Sequence, residues 1–249
     1  MDSLLETHGL TREFSGFVAV NGVDLRVRPG TVHALIGPNG AGKTTLFNLL
    51  TRFLPASAGT IRFDGEDITR LSPAGVARRG MVRSFQMSAV FPGLSVAENV
   101  RIALQRPLGT SYRFWSSPRR LAALDGRVQE LLDAVDLGAV RDTLAVELPY
   151  GRKRALELAT TLALDPRLLL LDEPTQGMGH EDVGRVVSLL RRVARGRTVL
   201  LVEHNLSVVA DLCDTLTVLQ RGRILAEGPY AVVSRDPAVI EAYLGAARA

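Results

Sequence analysis

Val32-His33-Ala34-Leu35-Ile36-Gly37-Pro38-Asn39-Gly40-Ala41-Gly42-Lys43-Thr44-Thr45 is the stretch that decides the fold. Val32 to Ile36 is a short apolar run of the kind that forms a buried strand. Gly37 to Thr44 matches the pattern G-x-x-x-x-G-K-S/T, and a helix is expected to begin near Lys43, with Leu46, Phe47, Leu49 and Leu50 on its apolar side. In a strand–loop–helix of this kind the glycines let the backbone curl so that its N–H groups point inward, and the helix start adds a positive dipole end. Such a loop binds the phosphates of a nucleoside triphosphate. Gly37, Pro38, Asn39, Gly40, Ala41, Gly42, Lys43, Thr44 and Thr45 are expected to enclose them. Lys43 reaches the β- and γ-phosphates, and the Thr44 hydroxyl ligates Mg²⁺. A chance glycine-rich turn is the bland alternative, and the flanking strand and helix argue against it.

Outward from that loop, Leu168-Leu-Leu-Leu-Asp172-Glu173 is an apolar strand ending in two acids. Ligands of open α/β sheets bind at such strand ends. Asp172 is expected in the Mg²⁺ shell and Glu173 as the general base that polarises the attacking water. Taken alone, the two acids would read equally well as caps of the turn before Pro174. Gln86 closes Val82-Arg-Ser-Phe-Gln86, where it would sense Mg²⁺ or the water while tethering a helical segment. His204, after the apolar run Val199–Val202, is placed to meet the γ-phosphate. Leu148-Pro149-Tyr150-Gly151-Arg152 opens a helix ahead of the acidic pair.

The rest of the chain fits an α/β protein. It has 249 residues, 46% of them hydrophobic and only 5% aromatic, which favours an aliphatic α/β core over a β-barrel. The first part alternates apolar and polar residues as a small antiparallel sheet does. It includes Val23–Arg28, ending at Pro29-Gly30, and a hairpin around Ile61–Phe63 and Asp64-Gly65. The middle is rich in Ala, Leu and Arg, with helical spacing over Leu121–Leu137 and Arg152–Leu164 and a loop at 106–118. Strand and helix then alternate: Leu168–Leu171, Glu181–Arg195, Val199–Val202, Leu206–Leu212, Leu216–Gln220, Ile224–Glu227 and Val239–Leu244. Together these predict one domain, with a parallel-sheet core and an antiparallel β-subdomain over about 1–90 and 164–249, and an inserted α-helical subdomain over about 91–163.

Cys213 is the single cysteine, which excludes a disulfide framework and is read as a small buried thiol on a helix. No run approaches the ~18 apolar residues of a membrane span. Met1-Asp-Ser-Leu-Leu-Glu6 lacks a basic flank and long apolar stretch, so no signal peptide is read and a cytosolic place is expected. Net charge is +4, almost all from arginine, since Lys43 and Lys153 are the only lysines. Tyr112–Arg120 is the sole stretch mixing aromatic and basic residues, and nucleic acid is not an expected partner.

The order of these motifs resembles the ATP-binding-cassette family over essentially the whole chain. The resemblance implies a P-loop ATPase with a RecA-like core, whose cofactors are ATP and Mg²⁺ and in which two subunits sandwich two ATP molecules. Leu148–Arg152 then corresponds to the signature sequence, and Gly151 caps the γ-phosphate of ATP held by the opposite subunit. Phe14 stands where the family keeps an aromatic on adenine; a core Phe at a strand end is the alternative. Two positions depart from the family. Pro149 replaces the signature serine and has neither hydroxyl nor N–H, and Gly179 stands where an aspartate follows the acidic pair. The implied partners are two transmembrane permease subunits, a second cassette ATPase (the same chain or a related one) and, indirectly, a solute-binding protein. The implied location is peripheral, on the cytoplasmic face of the inner (plasma) membrane.

Val82–Gln86, Leu-Pro-Tyr-Gly, Glu173-Pro-Thr-Gln-Gly-Met-Gly-His180, Val202-Glu-His-Asn205 and the closing Ala242-Tyr-Leu-Gly245 resemble the ATPases of branched-chain amino acid importers, with urea and short-amide relatives close by. The lipopolysaccharide-export ATPase shares the ending and matches the middle less well. A soluble cassette ATPase of DNA repair or translation would usually carry a coiled coil or a second cassette. A GTP switch would carry Asn-Lys-x-Asp. The transported substrate is chosen by partner subunits.

Overall fold

The structure, a computed structural model of the chain, describes residues 3–84, 90–105, 124–178 and 180–246. Gln86, Gly179 and the 106–120 segment, with the aromatic and basic stretch inside it, lie outside the described residues.

Along the chain, β1 (Leu5–Phe14), β2 (Phe17–Val23) and β3 (Arg26–Val27) precede β4 (Val32–Ile36) and α1 (Lys43–Leu50). β5 (Ala58–Phe63), β6 (Glu66–Asp67), α2 (Pro73–Arg78), β7 (Met81–Ser84) and α3 (Val96–Gln105) follow. Next come α4 (Asp125–Ala134), α5 (Tyr150–Leu162), β8 (Leu168–Asp172), α6 (His180–Ala194), β9 (Thr198–Val202) and α7 (Leu206–Leu212). The chain closes with β10 (Thr215–Gln220), β11 (Arg223–Gly228), α8 (Tyr230–Val233) and α9 (Pro237–Ala246). Among the described residues no helix is long and apolar enough to cross a membrane. The chain divides into two compact units, 1–81 with 167–173 and 194–249, and 82–166 with 174–193.

The first unit is built on two sheets. One is antiparallel, in the order β2-β1-β5-β6 with β3 also on β1. The other runs β11-β10-β4-β9-β8; β10, β4, β9 and β8 are mutually parallel, and β11 turns back against β10. All five residues of β8 and all five of β9 are buried, as expected of strands covered on both faces. β4 shows why. Leu35 packs with Leu46, Phe47 and Leu50 of α1, whereas Ala34 and Ile36 point the opposite way and pack with Val209, Val218 and Val239. The two-residue period of a strand thus feeds two cores.

His33 is buried in β4, with Nε2 2.7 Å from the Thr217 hydroxyl, which itself donates to Glu227 Oε2 at 2.7 Å. Thr217 therefore accepts from His33, which must be the neutral Nε2–H form. Burial, helped by the charge of Arg28, lowers the His33 pKa to about 4.

In the second unit α3, α4 and α5 pack on one another, and Val96, Val100, Leu104, Val128, Leu132, Leu156 and Ala159 on them are buried. A reciprocal cap opens α3: Ser95 N donates to Glu98 Oε2 at 2.7 Å and Glu98 N to Ser95 Oγ at 3.2 Å, which satisfies two helix-end donors.

Some expectations need correction. Val23–Arg28 is not one strand: β2 ends at Val23, and β3 pairs separately with β1. Asp24, between them, turns its carboxylate to accept from Gly9 N at 2.6 Å. Cys213 is not inside a helix. It caps α7 in extended geometry and is only half-buried, and desolvation lifts its pKa to about 12.

Candidate functional site

At the end of β4 the backbone makes a turn that only glycine permits. Gly37 has φ +153°, and a Cβ there would lie 2.2 Å from the Leu219 carbonyl oxygen. Gly42 has φ +102°, and its Cβ would lie 2.5 Å from the Ala19 carbonyl oxygen. The loop between them is tied at both sides: Ala41 N donates to Pro38 O at 3.1 Å and Gly222 N to Ala41 O at 2.9 Å. Gly42 is the N-cap of α1 and offers no side-chain acceptor, so the first-turn N–H groups stay available to an anion at the positive end of the dipole.

Lys43 bends back over this loop. Its ammonium donates to Gly37 O at 2.7 Å and Pro38 O at 3.1 Å. Burial lowers the Lys43 pKa, while the charges of Glu173 and Asp172 oppose that shift. The folded chain thus brings together a cation and both acids of the Leu168–Glu173 strand. Asp172 ends β8 and is 1% exposed. Glu173, half-buried, extends the ladder by donating from its N–H to Val202 O at 2.9 Å. It also adopts φ +47° directly before Pro174. A left-handed non-glycine residue there costs about 1–3 kcal/mol, and such strain clusters at functional sites.

His204 follows β9, with its side chain 58% exposed and Nδ1 3.6 Å from Glu203 Oε1. Glu203 is 0% exposed and was not singled out from the sequence. Its Oε1 accepts from His204 N at 3.0 Å and Asn205 N at 3.2 Å, which fixes the backbone that carries His204. The signal for it was a charge placed directly after a fully apolar strand.

Phe14 ends β1 opposite Phe17. It is 38% exposed, so it is no core residue, and the Arg12 guanidinium sits 4.5 Å from its ring centroid. Gly42 and Ala19 of β2 are in close approach, so the β1–β2 hairpin rests on the phosphate loop. Thr44 is solvent-exposed at the first turn of α1. The Thr44 hydroxyl beside the loop and the buried Asp172 carboxylate at the end of β8, two strands from β4, are oxygen donors of the kind Mg²⁺ takes together with substrate phosphates.

Gly151 lies in the second unit, in the first turn of α5. Pro149 is the N-cap and provides no side-chain bond, and the first turn contains no acid. Tyr150 is 61% exposed, and its hydroxyl donates to Gln176 O at 3.4 Å. A cavity of about 910 Å³ opens beside this turn, lined by Gly151, Arg152, Ala155, Arg185 and Arg192 among others. Of the basic residues there, Arg192 is paired with Asp136.

Residues 20–176 match the ABC transporter family, and residues 223–249 match the branched-chain amino acid ATP-binding cassette transporter family. The chain is 38% identical to the high-affinity branched-chain amino acid transport ATP-binding protein BraF of Pseudomonas aeruginosa, over 98% of each chain. It is 36% identical to LivG of Escherichia coli, a protein of the same description, again over 98% of each. Among solved structures it resembles an ATP-binding cassette of an ABC transporter in its ADP conformation. That likeness has a TM-score of 0.84 and 29% identity, covering 98% of this chain and 100% of the other.

Proposed function

Since the chain belongs to the ABC transporter family of ATP-binding subunits, we propose that its ATP hydrolysis drives import of branched-chain amino acids or of related small polar solutes such as urea and short amides. The observation that carries the substrate class is the match of the C-terminal stretch, which lies outside the residues that match the general ABC transporter family.

The site residues act as follows in this reading. Phosphates lie against the N–H groups of the loop from Gly37 to Thr45, and Lys43 exchanges its two loop carbonyls for the β- and γ-phosphates. The free face of Phe14 stacks on adenine. Thr44 and Asp172 hold Mg²⁺, together with Gln86; when bound, the ion neutralises charge developing on the phosphate oxygens. Glu173 takes a proton from the attacking water. His204, held from behind by Glu203, stabilises charge on the departing phosphate.

Gly151 and the N-terminus of α5 serve ATP held by another cassette subunit, by offering N–H donors to its γ-phosphate. ATP shared in this way binds the closed pair better than the open one, and the difference is all it can contribute to closure. Hydrolysis removes it. Two permease subunits convert the cycle into transport, a solute-binding protein delivers the cargo to them, and the chain sits peripherally on the cytoplasmic face of the membrane.

The test is to purify the tagged chain from detergent-solubilised native membranes and identify what accompanies it. Two multi-span permeases and a cassette ATPase support the importer. Recovery only from the soluble fraction, with ribosomes or DNA-bound proteins, overturns it.

A further inference from the structure

We propose that Tyr243, on the C-terminal helix α9, is a positioning residue for the phosphate loop, its hydroxyl accepting a hydrogen bond from the Gly37 N–H once nucleotide draws Lys43 off the Gly37 carbonyl. The proposal rests on the reading of Gly37–Thr45 as a phosphate cradle.

Three observations converge. The Tyr243 ring packs against the cluster that contains Ala34 and Ile36, the β4 residues leading into Gly37. Its hydroxyl is buried and has no hydrogen-bond partner among the described residues. A buried polar group in that state destabilises whatever conformation leaves it so, and it calls for an explanation. Burial also raises the Tyr243 pKa to about 12, with the Gly37 backbone amide opposing the rise. That amide is therefore near enough to act on the hydroxyl without completing a hydrogen bond to it.

Gly37 is also hemmed in by its own surroundings. The Leu219 carbonyl leaves no room there for even a methyl group, and Lys43 holds the Gly37 carbonyl at 2.7 Å. Release by Lys43 frees the Gly37 carbonyl and with it the Gly37 backbone to shift, and the Tyr243 hydroxyl is the buried polar group available to the Gly37 N–H. α9 lies in the stretch that matches the branched-chain transporter family, so the device would link that appendage to nucleotide binding.

Tyr243→Phe keeps the ring and removes only the hydroxyl. ATP binding to the full chain, measured by calorimetry with EDTA so that hydrolysis does not intrude, should weaken about 5- to 10-fold, the equivalent of one hydrogen bond present only in the bound state. In steady state the KM for ATP should rise by the same factor with kcat little changed. The melting temperature without nucleotide should rise, because an unpaired buried hydroxyl is gone, and the gain should vanish in saturating ATP. A shift of equal sign and size with and without ATP would mean a purely structural side chain and would overturn the proposal. So would unchanged ATP affinity in the variant while wild type binds. If the wild-type chain itself does not bind ATP, the cradle reading fails first and this one with it. Tyr243→Leu, which also perturbs packing, should lose affinity no further than Phe if the hydroxyl is what matters; a larger loss confined to Leu would assign the effect to the ring and sink the proposal.

Discussion

Two helix starts, those of α1 and α5, carry a glycine and lack a side-chain cap, and they are built on opposite plans. α1 is pre-formed. Gly42 is forced into φ +102° against Ala19, Lys43 closes the loop from inside, and Asp172 and Glu173 set the local field. At α5 nothing comparable among the described residues closes the site. Pro149 is an ordinary extended N-cap, Tyr150 is largely exposed, and the first turn carries Arg152 and Lys153 where the dipole disfavours cations. One end is complete within its own unit, whereas the other has the character of half a site. The lesson is that the same device, free N–H groups at a helix start, can be a binding pocket or a docking edge, depending on what the neighbouring chain supplies.

Glu173→Gln should separate the two most sharply. The substitution leaves both helix starts intact and removes only the base, so turnover should fall by about 10²- to 10⁴-fold. ATP affinity should hold within about twofold, a change within the few tenths of a kcal/mol that surface substitutions produce, and ATP-bound dimers should accumulate on size exclusion. Brisk hydrolysis by this variant would place the base elsewhere and remove the catalytic half of the comparison.

Alanine at the two glycines asks whether the plans really differ. Gly37→Ala puts a methyl 2.2 Å from the Leu219 carbonyl in a left-handed backbone. Strain and overpacking together should cost about 2–5 kcal/mol of stability, and ATP binding should be lost. Gly151→Ala sits in a regular helix, where alanine is favoured by about 0.5–1 kcal/mol. Its stability should hold or rise, its ATP affinity as a single chain should be unchanged, and only ATP-driven dimerisation should weaken. Denaturant melts and ATP titrations of both proteins decide it. A Gly151→Ala chain that binds ATP poorly by itself would break the contrast.

Much of the first helix start was visible in the amino-acid order, because β4, β8 and β9 are largely apolar runs, broken inside only by His33, with their chemistry at the ends. Val32–Ile36 has the expected bounds, the helix does begin at Lys43, and α6 and α7 lie where the spacing put them. Short elements were not legible. β3 spans two residues and exists only because β1 pairs with it. α2 carried a signal that went unread, Ser72 before Pro73: the serine hydroxyl accepts from Gly75 N at 3.2 Å, and the proline takes the first helical position. Glu203 is a local cap in a sequence already dense with candidate acids. Tyr243, far along the chain from β4, packs against the cluster that holds Ala34 and Ile36, and no periodicity reports a contact that distant.

The smallest effect concerns the base rather than the phosphates, and it tests how far the pre-formed end extends. Phe14 and Phe17 face each other across the tip of the β1–β2 hairpin, and Phe17 is the more exposed, at 67% against 38%. Exposure alone would choose Phe17 for adenine. Arg12 argues for Phe14: its guanidinium, 4.5 Å from the ring centroid, fixes that ring from one side, leaving the other face as a rigid platform. Aromatic stacking on a base is worth about 1–3 kcal/mol by alanine substitution. At an exposed hairpin the lower end applies, so Phe14→Ala should weaken ATP about fivefold and leave tripolyphosphate binding unchanged. Phe17→Ala should do neither. If Phe17→Ala weakens ATP instead, adenine lies across the outer strand and Arg12 holds Phe14 for folding alone. If both lose tripolyphosphate as well, the hairpin supports the loop through Ala19 and not the base, and the pre-formed site ends at the phosphates.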